Sequence, residues 1–111
     1  MNRIFVYGTL KKGFHNFRLL EGSEFLGNAE VKGRMYTLGH FPGAKFDEEG
    51  VIKGEIYEVD EHTLSLLDRL EGHPNFYKRV PIPCNLGVVV QAYHYCGRAK
   101  PAALIESGVW K

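Results

Sequence analysis

The sequence predicts an α+β fold, in which a mixed, mostly antiparallel sheet curls into a barrel-like form with one or two flanking helices. Three observations lead there. Five to seven short runs are rich in β-branched and aromatic residues and are bounded by glycine or proline. Only residues 60–70 carry a firm helical period, so the strand–helix alternation of a doubly wound parallel sheet is missing. Glycine, at 13 of 111 residues, exceeds the average of about 7%, which implies many tight turns between short strands. The length suits a single domain over residues 1–111, at the low end of the roughly 100–200 residues usual per domain.

Taken in order, Arg3 to Tyr7 reads as a strand that meets a turn at Gly8. Residues 14–20 (FHNFRLL) read as a short helix. Phe25 to Leu38 is apolar but broken by Gly27 and Gly33, giving one bent strand or two short ones. Residues 39–43 form a loop and residues 47–50 a hairpin turn. Val51 to Val59 is the next strand, with Gly54 marking a bulge or a close approach. In the helix at 60–70, Asp60 is the cap and Leu64, Leu67 and Leu70 form the core face. Gly72 ends it and Pro74 forbids its continuation. Tyr77 to Cys84 is a strand whose Pro81 and Pro83 lack donors, so it belongs at an edge or a barrel mouth. Leu86 to Cys96 is the strongest strand, and Trp110 in the mixed tail needs cover.

Several classes of function are disfavoured. Lysine and arginine (14) nearly balance aspartate and glutamate (13), whereas a phosphate-neutralising surface needs a marked basic excess. No stretch approaches the ~18–20 apolar residues of a membrane helix, and the apolar run before Gly8 is too short for a signal peptide. Cys84 and Cys96 form no CxxC pair and read as buried free thiols in a reducing, cytoplasmic setting. The histidines at 15, 40, 62, 73 and 94 are too dispersed for a metal site. Gly8 and Gly13 have the spacing of a phosphate loop, but Phe14-His15 stand where Lys-Ser/Thr would be required. Lys11 and Lys12 read as a solvated pair.

Two features carry chemistry. A strand ending at the Tyr7-Gly8-Thr9-Leu10 turn can leave backbone N–H groups aimed into one concavity, a nest suited to a carboxylate; a plain hairpin turn is the alternative. Glu71 stands at the negative end of the helix dipole beside Leu70, Phe76 and Tyr77, where dipole and burial both raise its pKa. That suits a general acid/base, although a solvated glutamate is the plainer reading of this position alone. An ion pair with Arg79 would act in the opposite direction.

The run Ile4-Phe5-Val6-Tyr7-Gly8-Thr9-Leu10-Lys11-Lys12-Gly13, with Asn16 beyond it, resembles the opening of the γ-glutamylcyclotransferase-like family, nearest its γ-glutamylamine cyclotransferase branch and small microbial members. Gly54 to Asp60, then Leu67-Asp68-Arg69-Leu70-Glu71-Gly72 with Pro74, Tyr77 and Arg79, is similar to the second family block. The tail Ile105 to Trp110 is similar to the ending of short bacterial members.

The resemblance implies a barrel-like mixed sheet with one pocket beside the first loop. It implies that Tyr7, Gly8, Thr9 and Leu10 hold the substrate's glutamyl group, that Glu71 is catalytic, and that Tyr77 is a pocket wall or donor. The expected reaction releases 5-oxoproline and an amine or amino acid from a γ-glutamyl amine or peptide, with no metal or organic cofactor. The expected partner is this small molecule, with no nucleic acid and no membrane, and the chain is expected as a monomer or weak homodimer. One alternative is a non-catalytic binding module for a γ-glutamyl or other small carboxylate. Another is a protein-interaction domain that uses exposed Tyr93, Tyr95 and Trp110.

Overall fold

The computed structural model describes residues 2–111. Eight strands form one mixed sheet: β1 (Asn2–Val6), β2 (Glu24–Lys32), β3 (Arg34–Thr37), β4 (Pro42–Lys45), β5 (Val51–Val59), β6 (Tyr77–Pro83), β7 (Val89–Tyr95) and β8 (Leu104–Ile105). One α-helix, α1 (Glu61–Glu71), and two single 3-10 turns, Phe17–Leu20 and Pro101–Ala103, complete it. The strand order is β2-β5-β1-β7-β4-β3-β8, with β6 laid along β7. β1 runs antiparallel to β5, from Asn2 opposite Val59 to Val6 opposite Glu55, and parallel to β7 where Ile4 meets Gln91.

The sheet curls until β2 reaches the end of β6. Val31 bridges Cys84, the Asn85 N–H donates to the Glu30 carbonyl at 3.0 Å, and the Glu30 N–H donates to Asn85 Oδ1 at 2.8 Å. A register shift between Phe25 and Gly27 puts a bulge in β2, which adds the local twist that curling needs. Gly54 in β5 marks a close approach: a Cβ there would lie 2.3 Å from the Val6 carbonyl oxygen and 2.7 Å from the Phe5 ring.

Alternation along β1 divides the core. Phe5 and Tyr7 face the inside of the curl with Val31, Met35, Ile52, Ile56 and Val90. Ile4 and Val6 face the other way and pack with Leu10, Leu20, Tyr57, Val59, Leu64, Leu67, Tyr77 and Tyr93. This second layer holds α1 against the sheet and sets the direction of its C-terminal end. At the other end, Asp60 accepts from the Thr63 N–H at 2.7 Å, so the cap is as expected.

Several expectations need correction. The segment expected as a loop at 39–43 enters strand β4 at Pro42, paired with β3 and touching β7. The turn at 47–50 joins no hairpin, because β4 and β5 do not pair with each other. The expected helix at 14–20 is one 3-10 turn, too short a run to repeat the α-helical hydrogen bond. β7 begins at Val89, after a turn in which the Gly87 N–H donates to the Cys84 carbonyl. Leu70 is not in the core but 43% exposed, while Lys11 is buried, its Nζ donating to the Trp110 carbonyl at 2.9 Å. Cys84 is half-buried and Cys96 exposed, so neither is a buried thiol. Tyr93 is buried, which removes it from any exposed aromatic patch; Trp110 packs partly against the core.

Candidate active site

The site begins where β1 ends. Past Val6 the chain turns at Gly8, and the Lys11 N–H closes the turn on the Gly8 carbonyl at 3.0 Å. Asn16 fastens it from behind: its N–H donates to the Thr9 carbonyl at 3.0 Å and its Nδ2 to Thr9 Oγ1 at 2.9 Å. Glu55 accepts from the Lys12 N–H at 3.0 Å. The N–H groups of Gly8, Thr9 and Leu10 have no backbone acceptor among the described residues, so the turn is held rigid with these donors uncommitted. Gly8 is needed for contact: a Cβ there would come within 2.7 Å of the Pro42 ring.

Opposite the turn stands the C-terminal end of α1. Gly72 adopts the left-handed conformation (φ 66°), and its N–H together with that of His73 closes the helix on the Arg69 and Asp68 carbonyls. Glu71 is therefore the last helical residue. A cavity of about 430 Å³ lies between the two elements, bordered by Tyr7, Gly8, Thr9, Leu10, Asn16, Glu71, Tyr77 and Tyr93. All the residues expected to form the site thus border one space.

Burial raises the Glu71 carboxyl from its ordinary value of 4.5 to about 7. It takes part in neither ion pair found among the described residues. Arg79 is committed to Asp68, one turn earlier on α1: Nε lies 2.9 Å from Oδ1 and Nη2 3.1 Å from Oδ2. The Tyr93 hydroxyl donates to the same Oδ1 at 2.7 Å. Burial alone would raise Asp68, but these hydrogen bonds outweigh it and hold the carboxyl below its ordinary value.

The phenols around the cavity are stationed as walls. The Tyr7 hydroxyl donates to the Tyr93 carbonyl at 2.7 Å within the core, and that of Tyr77 donates to the Pro42 carbonyl. Burial raises the pKa of both, reinforced at Tyr7 by Tyr77 and then Glu71 and at Tyr77 by Glu71 and then Tyr95, so they remain neutral. Phe76 lines the cavity beside Glu71 as expected, but sequence reasoning did not foresee Phe41 and Pro42 there, nor the hydroxyl of Tyr93 as the link between β7 and α1. Only the spacing of Asp68 and Glu71 on one helix offered a signal.

Among the described residues, no group of three His, Cys, Asp or Glu side chains is placed to hold a metal ion, and no helix is long and apolar enough to cross a membrane.

The family model described as gamma-glutamyl cyclotransferase, AIG2-like, matches residues 4–111. The chain belongs to this family. A Methanocaldococcus jannaschii relative, provisionally named gamma-glutamylcyclotransferase MJ1514, is 38% identical over 116 residues, which span 100% of this chain and 97% of the relative. The gamma-glutamylcyclotransferase family protein YtfP of Escherichia coli is 36% identical over 109 residues, 97% of this chain and 95% of YtfP. Among solved structures, an AIG2-like protein from Mus musculus superposes with a TM-score of 0.87 at 27% identity, covering 100% of this chain and 88% of its own. The α+β fold of the family is thus the fold of this chain.

Proposed function

We propose that this protein is a cofactor-free γ-glutamyl cyclotransferase, releasing 5-oxoproline and a free amine or amino acid from a γ-glutamyl amine or γ-glutamyl peptide. The observation that carries the reading is Glu71, a carboxyl raised to about 7 that borders one cavity with the Gly8–Leu10 turn, whose N–H groups have no backbone acceptor among the described residues.

The turn receives the substrate's α-carboxylate, and Tyr77 forms the wall alongside. With that end fixed, the side chain folds back and brings the α-nitrogen to the γ-carbonyl carbon. Both reacting groups belong to the substrate, and well-oriented internal attack can lower the barrier by about 7–11 kcal/mol. Over the reaction the α-ammonium loses two protons to become the lactam N–H, while the departing amide nitrogen gains two to leave as an ammonium. Glu71 relays them one at a time, and a pKa near the working pH suits both directions of transfer. The new bond joins the α-nitrogen to the γ-carbonyl carbon; the bond that breaks joins that carbonyl carbon to the leaving nitrogen.

The test is 5-oxoproline release from γ-glutamyl amines, γ-glutamyl dipeptides, γ-glutamyl-ε-lysine and glutathione. Product from at least one substrate, with loss of turnover in Glu71→Gln, is expected. No product from any, or an equally active Glu71→Gln, overturns the proposal. Ligand-dependent stabilisation without product would point instead to a binding module.

A further inference from the structure

The mouth of this cavity has a chemistry of its own. Phe41, Leu70 and Phe76 are 38%, 43% and 45% exposed, and all three border the opening. Scattered exposed apolar residues are ordinary, but three gathered on the rim of one cavity form a patch that needs an occupant. Each ring adjoins a residue of the inner wall. Phe41 precedes Pro42, whose ring lies against Gly8, while the Phe76 N–H donates to the Gly72 carbonyl at 3.0 Å, next to Glu71. The two rings stand 6.1 Å apart, and Phe76 is fixed edge-on against Tyr77 at 4.9 Å.

We propose that this mouth is the leaving-group subsite, and that it selects γ-glutamyl amides of uncharged, apolar amines over those whose amine carries a second, terminal cation. The inference rests on the cyclotransferase reading of the cavity. If the glutamyl end lies on the Gly8–Leu10 turn and the leaving nitrogen meets Glu71, whatever that nitrogen carries emerges between Leu70, Phe76 and Phe41. Of the cavity's lining residues only Glu71 and Arg69 are charged. A terminal ammonium on the leaving group would find no second carboxylate there and would meet Arg69. Exposed phenylalanine faces offset little of that cost. A butyl or benzyl group instead removes apolar surface from water on both sides of the contact.

The experiment compares four substrates, the γ-glutamyl methylamide, n-butylamide, benzylamide and 4-aminobutylamide. It reads kcat/KM for 5-oxoproline release with the wild-type protein and affinity by calorimetry with Glu71→Gln. Three half-buried methylenes correspond to about a tenfold gain, so the butylamide should exceed the methylamide by about that factor, with the benzylamide at least equal to it. The 4-aminobutylamide, its near-isostere, should fall about tenfold below the butylamide. Phe76→Ala should bring the butyl-to-methyl ratio down to about twofold by loss of the same contact.

Equal values for butylamide and methylamide in both measurements, or a 4-aminobutylamide as good as the butylamide, overturn the inference. Product from all four at one rate leaves the cyclotransferase reading intact and removes this one. No product from any of the four overturns both readings, and an affinity ladder in its absence would mark the mouth as a binding surface for apolar amides without turnover.

Discussion

Asp68 and Glu71 lie three residues apart on α1, yet the fold treats their carboxyls in opposite ways. Three residues on a helix differ by about 60° in direction and about 4.5 Å along the axis. Asp68 meets β6 and β7, where Arg79 and Tyr93 supply three donors and keep it ionised. Glu71 meets the cavity, where burial raises it and its proton is held to about pH 7. One carboxylate fastens the helix, and the other is left able to exchange a proton. The difference shows how a single short helix can anchor itself and present a titrating group: the ion pair with Asp68 takes up the Arg79 guanidinium and leaves Glu71 without a paired cation among the described residues.

The largest effect that would sharpen this contrast is kinetic. General acid–base catalysis contributes about 10²–10⁴-fold, so Glu71→Gln should lower kcat for 5-oxoproline release by that range. A loss below tenfold would place the proton relay elsewhere.

Stability against pH comes next in size. A carboxyl whose folded pKa is raised favours the native state most when both states hold the proton, below about 4.5, and loses that advantage as pH climbs through about 7. The gap between 4.5 and about 7 corresponds to about 3 kcal/mol. Thermal melts should therefore show the Glu71→Gln protein gaining on wild type across this window and holding a constant lead above it. Parallel curves would mean that the carboxyl is not buried as described.

How much of this contrast could be read beforehand follows the range of the forces involved. The helix, its Asp60 cap, its Gly72 stop and the position of Glu71 depend on residues within a few positions, and the sequence displays them directly. The limits of β5 were legible as well, since Val51, Ile52, Ile56, Tyr57 and Val59 are strand formers and Gly54 is the one turn former among them. Strand β4 was not, because Pro42-Gly43-Ala44-Lys45 has no strand propensity and is extended only by pairing with β3 and β7. Lys11 looked solvated because its acceptor, the Trp110 carbonyl, lies 99 residues away. Arg79 could be matched in sequence to either acid, and the choice rests on which side of α1 packs against the sheet. Cys96 was placed in the core by residue type, but the ladder of β7 stops at Tyr95 and leaves it outside.

Asp68→Asn tests whether the two carboxyls are independent. The substitution keeps one acceptor oxygen but removes the charge that Arg79 grips, in a pair whose side chains are 22% and 23% exposed. A loss of about 2 kcal/mol in chemical denaturation is expected, within the range for hydrogen bonds to charged groups. The acidic limb of the 5-oxoproline pH–rate profile should stay in place. A limb displaced to lower pH would show that the released guanidinium reaches Glu71, and the division of labour between the acids would then depend on Arg79 being occupied.

Tyr93→Phe is the mildest probe. It deletes one hydroxyl, 2.7 Å from Asp68, while the Tyr93 carbonyl still accepts from Tyr7 and the ring still fills its place in the core. About 1 kcal/mol of stability should go, since Asp68 retains Arg79. The sign of the pH effect is opposite to that of Glu71. Hydrogen bonds from Arg79 and Tyr93 depress the folded pKa of Asp68 against the pull of burial, so its contribution is present above the ordinary value of 3.8 and fades as pH falls through the folded value. With one donor gone, the folded pKa rises toward 3.8 and the acid side of the stability curve becomes shallower. Melts between about pH 2 and pH 5 should show the deficit of the variant shrinking as the solution is acidified. A deficit constant across that range would mean that the hydroxyl acts through packing alone, and that Arg79 by itself keeps Asp68 ionised.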